Sequence, residues 1–187
     1  MRIVGGKHRG RKIEAPAGRE VRPTSDRARE SLFNILMHGT KFGTDGPIVD
    51  GAVALDAFAG SGALGFEALS RGASHAIFLD ADFAALRIIR KNAETLGETE
   101  RATILKADAT RPPRATQAAS LVLLDPPYGQ ALAAPALEAL ARGGWLAPGA
   151  IVSVELGPDD AFEPPEDFTE VDERRYGKAI IRLLRYR

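Results

Sequence analysis

Asp125-Pro126-Pro127-Tyr128 follows the apolar run Leu121-Val122-Leu123-Leu124. Proline has no N–H to give to a sheet ladder, so a strand through that run must stop at Asp125. A strand end that carries a carboxylate, two stiff residues and an aromatic ring suits a flat substrate bearing an amino group. A carboxylate only accepts hydrogen bonds. Asp125 can take one N–H of such an amine, and the backbone carbonyl of Pro126 can take the other. The lone pair of a nucleobase amine is delocalised into its ring, which makes it a poor nucleophile. Two fixed acceptors favour the pyramidal, more positive nitrogen that develops during methyl transfer, an effect worth roughly 2.7–4 kcal/mol per group in comparable sites. Pro126 and Pro127 fix where the acceptors point. Tyr128 can stack on the base for about 1–3 kcal/mol, and stacking needs only its ring. No general base of high pKa is required, because the proton can leave after transfer. The plain alternative is that Asp-Pro-Pro is only a strand-ending turn.

A second constellation lies upstream. Gly60-Ser61-Gly62-Ala63-Leu64-Gly65 is a Gly-x-Gly-x-x-Gly run between a strand pattern and a helix pattern. It fits a dinucleotide enzyme, an S-adenosylmethionine (SAM) enzyme or a structural tight turn. Two acids favour SAM. Asp56, just before the loop, suits the cationic amino group of methionine and would repel a pyrophosphate. Asp108, in Lys-Ala-Asp-Ala-Thr, ends a third strand and can accept the adenine amino group, although alone it reads equally well as a turn residue. Asp80 ends the intervening strand, roughly 20 residues beyond Gly60, where a ribose-binding acid belongs. No Gly-Lys-Ser/Thr follows the glycines, so a P-loop is excluded.

These residues need a scaffold that brings strand ends to one rim. Ala52–Phe58, His75–Asp80, Ala102–Asp108, Ser120–Asp125 and Ala150–Leu156 read as strands, and helical patterns separate most of them. Such alternation predicts a mostly parallel sheet of seven strands with helices on both faces, in which ligands sit beyond the carboxyl ends of strands. Thr169–Tyr176 and Lys178–Tyr186 read as a closing hairpin at the sheet edge. At the N-terminus, Arg2–Gly6 and Arg9–Pro16 read as two short strands around a Gly-Lys-His turn. A helix follows, capped by Thr24 or Ser25 and ended by Gly39. The predicted division is an N-terminal extension over 1–45 and a catalytic domain over 46–187.

Composition narrows the classes. The chain has 187 residues, enough for one domain with a small appendage, and 44% hydrophobic residues, enough for a core. It has no cysteine, which excludes disulfides and thiolate metal sites, and its three histidines are scattered, so no metal is expected. No apolar run approaches the roughly 20 residues of a membrane span, and Met1–Lys12 does not resemble a signal peptide, so the expected setting is the cytoplasm. Net charge is zero but segregated. Lys7, Arg9, Arg11 and Lys12 form an acid-free, glycine-bracketed patch, and Arg22 and Arg27 flank the helix start. This pattern predicts a nucleic-acid-binding arm in preference to a merely solvated one.

The glycine loop followed by Asp-Pro-Pro-Tyr resembles the amino-methylating nucleic-acid methyltransferases, without choosing between adenine N6 and guanine N2. Met1–Ile13, Arg22–Leu36, Leu55–Ala73 and Asp125–Tyr128 together resemble the RsmD family of bacterial 16S ribosomal RNA (guanine-N2)-methyltransferases. From Glu155 onward only the strand pattern matches. The resemblance implies a Rossmann-like SAM-dependent methyltransferase fold and a guanine target in 16S rRNA on a partly assembled small ribosomal subunit. It implies that Asp56, Gly60 and Gly62 contact the methionine part of SAM, Asp80 the ribose and Asp108 the adenine, while Asp125, Pro126, Pro127 and Tyr128 hold the base. That family often has glutamate at the ribose position, so Asp80 is a shorter stand-in. A monomer is expected. Competing readings are a DNA adenine-N6 methyltransferase, for which 187 residues leave little room for target recognition, an NAD-dependent oxidoreductase, which leaves Asp-Pro-Pro-Tyr unexplained, and a non-catalytic RNA-binding module.

Overall fold

The computed structural model describes residues 1–16, 26–38, 42 and 46–187. Seven strands, β1 (Val53–Ala57), β2 (His75–Asp80), β3 (Ala102–Lys106), β4 (Ala119–Leu124), β5 (Leu146–Leu156), β6 (Phe168–Tyr176) and β7 (Ala179–Tyr186), form one sheet. Their order is β3-β2-β1-β4-β5-β7-β6. The first five run parallel, and β7 lies antiparallel between β5 and β6. The order reverses between β1 and β4, the switch point at which open α/β sheets bind ligands.

Burial on both faces explains the apolar strand sequences. Leu121 and Leu123 of β4 face a cluster built with Phe33, Leu36, Phe66, Leu69 and Ile89, which come from α1 (Asp26–His38), α2 (Ala63–Ser70) and α3 (Phe83–Leu96). Val122 and Leu124, one residue out of phase, face the opposite cluster, with Leu137 and Leu140 of α4 (Ala133–Arg142) and with Trp145. The Asp82 carboxylate caps α3 by accepting the Ala84 N–H at 2.8 Å, and Gly97 ends it at φ 72°. Among the described residues no helix is long and apolar enough to cross a membrane.

Three expectations are adjusted. The N-terminal strands reduce to a single antiparallel bridge, Arg2 with Lys12, around a 3-10 turn at Gly6–His8. Backbone bonds still cross the turn, Ile3 N–H to the Arg11 carbonyl at 3.0 Å and Ile13 N–H to the Met1 carbonyl at 3.1 Å, and side chains of α2 and α3 take other N–H groups. Val4 N–H donates to Glu67 Oε2 at 2.9 Å, His8 N–H to Ser70 Oγ at 2.9 Å and Glu14 N–H to Asn92 Oδ1 at 2.8 Å. Gly6 sits at φ 70° so close to α2 that a Cβ would lie 1.9 Å from the Ser70 carbonyl oxygen. Ile3 and Ile13 are buried in the same cluster as the sheet, so the extension shares its core. Second, β5 begins at Leu146, four residues earlier than its apolar pattern, with a register shift against β4 between Ala119 and Leu121. Third, β3 ends at Lys106, so Asp108 lies in the loop two residues beyond it, while the β6–β7 hairpin closes the sheet edge as expected, joined through β7. The proposed caps Thr24, Ser25 and Gly39 lie outside the described residues.

Candidate active site

Register alone gathers three of the predicted acids. Asp56 pairs with Phe78 of β2 and Leu123 of β4, and Ala57 with Leu79 and Leu124. Phe58, Asp80 and Asp125 therefore come next at one level of the rim. By the alternation of strands, Asp56, Asp80 and Asp125 all belong to the face covered by α1–α3, with Ala54, Phe78 and Leu123. Asp108 stands close by, since Asp80 pairs with Lys106 and the Ala107 N–H donates to the Asp80 carbonyl at 3.1 Å.

The loop between β1 and α2 is built by its conformations. Gly60 and Gly62 have φ of 55° and 76°. A Cβ on Gly62 would meet the Phe66 ring at 2.7 Å, and one on Gly65 would meet the Phe78 ring at 2.3 Å. Gly65 thus lets α2 pack onto β2. Phe58 has φ 63°, rare for a bulky residue and worth on the order of 1–3 kcal/mol of strain. It turns the chain out of β1, and the Ala59 N–H donates to the Leu79 carbonyl at 3.0 Å just beyond it. Nothing in the sequence marked Phe58.

The acids already hold this backbone. Asp56 Oδ2 accepts the Gly65 N–H at 2.8 Å, Asp80 Oδ2 the Gly60 N–H at 2.8 Å, and Asp80 Oδ1 the Asp82 N–H at 2.8 Å. A carboxylate offers about four lone-pair sites, so Asp80 retains capacity for hydroxyls. Asp56 is 1% exposed. Burial pushes its carboxyl well above the usual range; the Gly65 N–H opposes this, and the charges of Asp125 and Asp80 add to it. Such a set is complementary to a cation. Asp108 closes a turn, with Oδ1 accepting the Thr110 hydroxyl at 2.7 Å and the Thr110 N–H at 2.8 Å. These bonds, the hydroxyl foremost, hold its carboxyl below the usual value.

Asp125 and Pro126 leave β4 half-buried and buried, while Pro127 and Tyr128 are exposed. Tyr128 is 41% exposed, one of two large apolar side chains in that class among the described residues. Its hydroxyl donates to Glu155 Oε1 of β5 at 2.5 Å. Burial, then the Glu155 hydrogen bond, then the charges of Glu155, Asp125 and Asp160 raise the phenol far above its ordinary value. Asp160 joins two loops: its Oδ1 accepts the Gly129 N–H at 2.7 Å and its Oδ2 the Gly157 N–H at 2.7 Å. Sequence reasoning missed Glu155, Gly157 and Asp160. A charge inside the apolar run Ala150–Leu156 was a usable signal for Glu155. Asp160 sits in an acidic run that reads as solvated.

The basic residues of the extension divide. Glu98, 1% exposed, receives Lys7 Nζ at 2.7 Å, His8 Nε2 at 2.5 Å and the Arg101 guanidinium. Burial works against the Glu98 charge, but these three partners together hold its carboxyl below the usual value. Arg11 donates to the carbonyls of Leu96 and Thr95, capping α3. Lys7 and Arg11 therefore have internal partners, at the end of α3 remote from the rim. The helix has 14 residues and spans about 21 Å at ~1.5 Å per residue. Arg9, Lys12 and Arg27 are exposed, and Arg22 lies outside the described residues.

The family described as "Conserved hypothetical protein 95" matches residues 1–185. The chain is 37% identical over 187 residues to the ribosomal RNA small subunit methyltransferase D of Haemophilus influenzae, covering 98% of this chain and 92% of that protein. It is 38% identical over 186 residues to the protein of the same name from Escherichia coli, covering 98% and 88%. A solved Escherichia coli structure described as "Putative methyltransferase yhhF" matches with TM-score 0.82 and 34% identity, covering 100% of this chain and 97% of that chain. By a match that runs from Met1 to Arg185, the chain belongs to the Conserved hypothetical protein 95 family, the family of the RsmD-type methyltransferases.

Proposed function

We propose that this chain transfers a methyl group from SAM to the exocyclic N2 amine of a guanine in 16S rRNA. Its substrate is a partly assembled small ribosomal subunit, and it acts as a cytoplasmic monomer. The observation that carries this reading is the β1–β4 pairing, which sets Asp125-Pro126-Pro127-Tyr128 beside the glycine loop and on the same face as Asp56 and Asp80. Near end-to-end similarity to two small-subunit rRNA methyltransferases favours rRNA over DNA.

Asp56, Gly60 and Gly62 are the residues to receive the methionine part of SAM, Asp80 its ribose and Asp108 its adenine. When bound, SAM supplies an electrophilic methyl on a sulfonium. The acids of the rim suit that positive charge, and the glycines allow close backbone approach. Asp125 and the Pro126 carbonyl accept the two N–H groups of the amine and orient its nitrogen in line with the methyl. Their attraction grows as the nitrogen becomes positive, so it lowers the barrier more than it tightens binding. The proton leaves to water after the N–C bond has formed. Tyr128 stacks on the base. Arg9, Lys12, Arg22 and Arg27 of the extension over 1–45 contact phosphates, a task for which Lys7 and Arg11 have less freedom.

The test is to incubate the enzyme and SAM with unmodified small subunits and map the methylated base by mass spectrometry. Free 16S rRNA and duplex DNA serve as comparisons. Methylguanine in the subunit is expected. Transfer to duplex adenine, or binding of NAD in place of SAM, overturns the reading.

A further inference from the structure

Tyr128 is fixed from a strand and a loop that play no part in the mechanism above. Pro126 and Pro127 stiffen the chain only up to the tyrosine. Beyond it lie Gly129 at φ 72°, which imposes little restraint of its own, and Ala131 at φ 50°, a left-handed conformation that a residue with a Cβ keeps only where its surroundings hold it. Three features restrain it from outside. Glu155, 5% exposed on β5, takes the tyrosine hydroxyl at 2.5 Å. Asp160 clips Gly129 to Gly157 through its two carboxylate oxygens, each at 2.7 Å. Gly157 gives room for the ring, since a Cβ there would lie 3.1 Å from Tyr128 Cγ and 3.2 Å from its Cβ. Bonds from N–H or O–H to a carboxylate are the strong, directional kind.

We propose that Asp160 and Glu155 are positioning residues for base capture, acting through Tyr128. Asp160 holds the loop after β4 against the loop after β5, and Glu155 sets the angle of the ring, so the stacking surface is ordered before the base arrives. Preorganisation of this kind improves affinity by removing an ordering cost at the moment of binding. The same residues select what may stack. Glu155 lies at the hydroxyl end of the ring and Asp160 at the adjoining Gly129, so the charges fixed beside the stacking surface are negative, which suits a neutral base better than a phosphate. The hydroxyl of Tyr128 is therefore part of the device, although stacking itself uses only the ring.

This inference rests on the methyltransferase reading, and its test separates the two. Asp160→Ala, Asp160→Asn, Glu155→Gln and Tyr128→Ala are assayed in single turnover across a range of subunit concentrations, with SAM affinity measured by calorimetry. Asp160→Ala should raise the half-saturating subunit concentration on the order of 10-fold, the size expected for lost hydrogen bonds to a charged group. The rate at saturation should fall less, and SAM affinity should stay as in the wild type. Asp160→Asn, which keeps one acceptor, should recover part of the loss. In the Tyr128→Ala background Asp160→Ala should add almost nothing, because both changes remove the same ordered ring. Full additivity, or an equal loss of SAM affinity, overturns the proposal. Amide exchange at Gly129 gives a readout that needs no methyl transfer, and it should accelerate in Asp160→Ala. If the wild type methylates no rRNA, the functional reading fails, and the Gly129 exchange alone decides the clip: unchanged exchange overturns it, and faster exchange supports it.

Discussion

Asp80 Oδ2 accepts the Gly60 N–H at 2.8 Å, so the acid that ends β2 holds the loop that follows β1. The same carboxylate also takes the Asp82 N–H, at the start of α3. One side chain thereby ties the glycine loop to the start of α3, at the position proposed above for a ribose contact.

Asp80→Ala should consequently weaken SAM binding through both effects. The SAM dissociation constant should rise on the order of 10²-fold, from one or two charged hydrogen bonds at about 1.5–3 kcal/mol each. Turnover should be partly recovered at saturating SAM. Calorimetry paired with a SAM titration of the rate checks this, and normal affinity with collapsed turnover would assign Asp80 to the chemistry instead.

SAM binding should release a proton from Asp56. Burial raises this carboxyl, with Asp125 and Asp80 adding to the shift. A cation beside it lowers it again, so affinity should fall as pH drops through the raised value. The sign for stability is opposite. A raised folded-state pKa gives stability that is complete below the unfolded value and declines as pH rises through the folded one. Asp56→Asn should thus raise the melting temperature at neutral pH, keep an acceptor for the Gly65 N–H, and weaken SAM binding. Calorimetry in buffers of different ionisation enthalpy counts the protons; a count of zero at every pH would remove Asp56 from the cation site.

Asp125→Ala should leave SAM affinity intact and lower single-turnover methylation on the order of 10²–10³-fold, as for loss of one oriented transition-state partner. Asp125→Asn keeps an acceptor oxygen without the charge and should retain more activity. A near wild-type rate for the alanine variant would reduce Asp-Pro-Pro-Tyr to a strand-ending turn.

The extension should separate into a structural and an RNA-binding half. Glu98→Gln weakens the site shared by Lys7, His8 and Arg101, and should cost on the order of 1–3 kcal/mol of stability at neutral pH. The Glu98 carboxyl is held low, so its contribution is present above the unfolded value of 4.5 and is lost as pH falls below it. Urea unfolding at pH 7 and at pH 3.5 should show the variant's deficit shrinking. Neutralising Arg9 and Lys12 should leave unfolding unchanged but weaken RNA binding, with the salt slope flattening by about 0.7 per lost contact. An unaltered slope would remove these two from the RNA interface.

The sequence by itself determined the features that local physics writes locally. Apolar runs with no polar alternation marked strands buried on both faces. Gly60 and Gly62 marked a tight turn, and Pro126 marked the end of β4. Acids that close apolar runs were legible as rim residues, because a charge can follow a buried strand only where it emerges. Tertiary structure decided what depends on partners far along the chain. The β1–β4 pairing put Asp125 beside Asp56, and β7 rather than β6 docked on β5. Lys7 read as part of a nucleic-acid-binding arm, and nothing local linked it to Glu98, 91 residues on, which folding brings to 2.7 Å. Asp160 looked solvated until Gly129 and Gly157 turned their N–H groups toward it. A hydrogen bond between distant segments leaves no period in the sequence, since its strength depends on distance and direction in space and on the water removed around it.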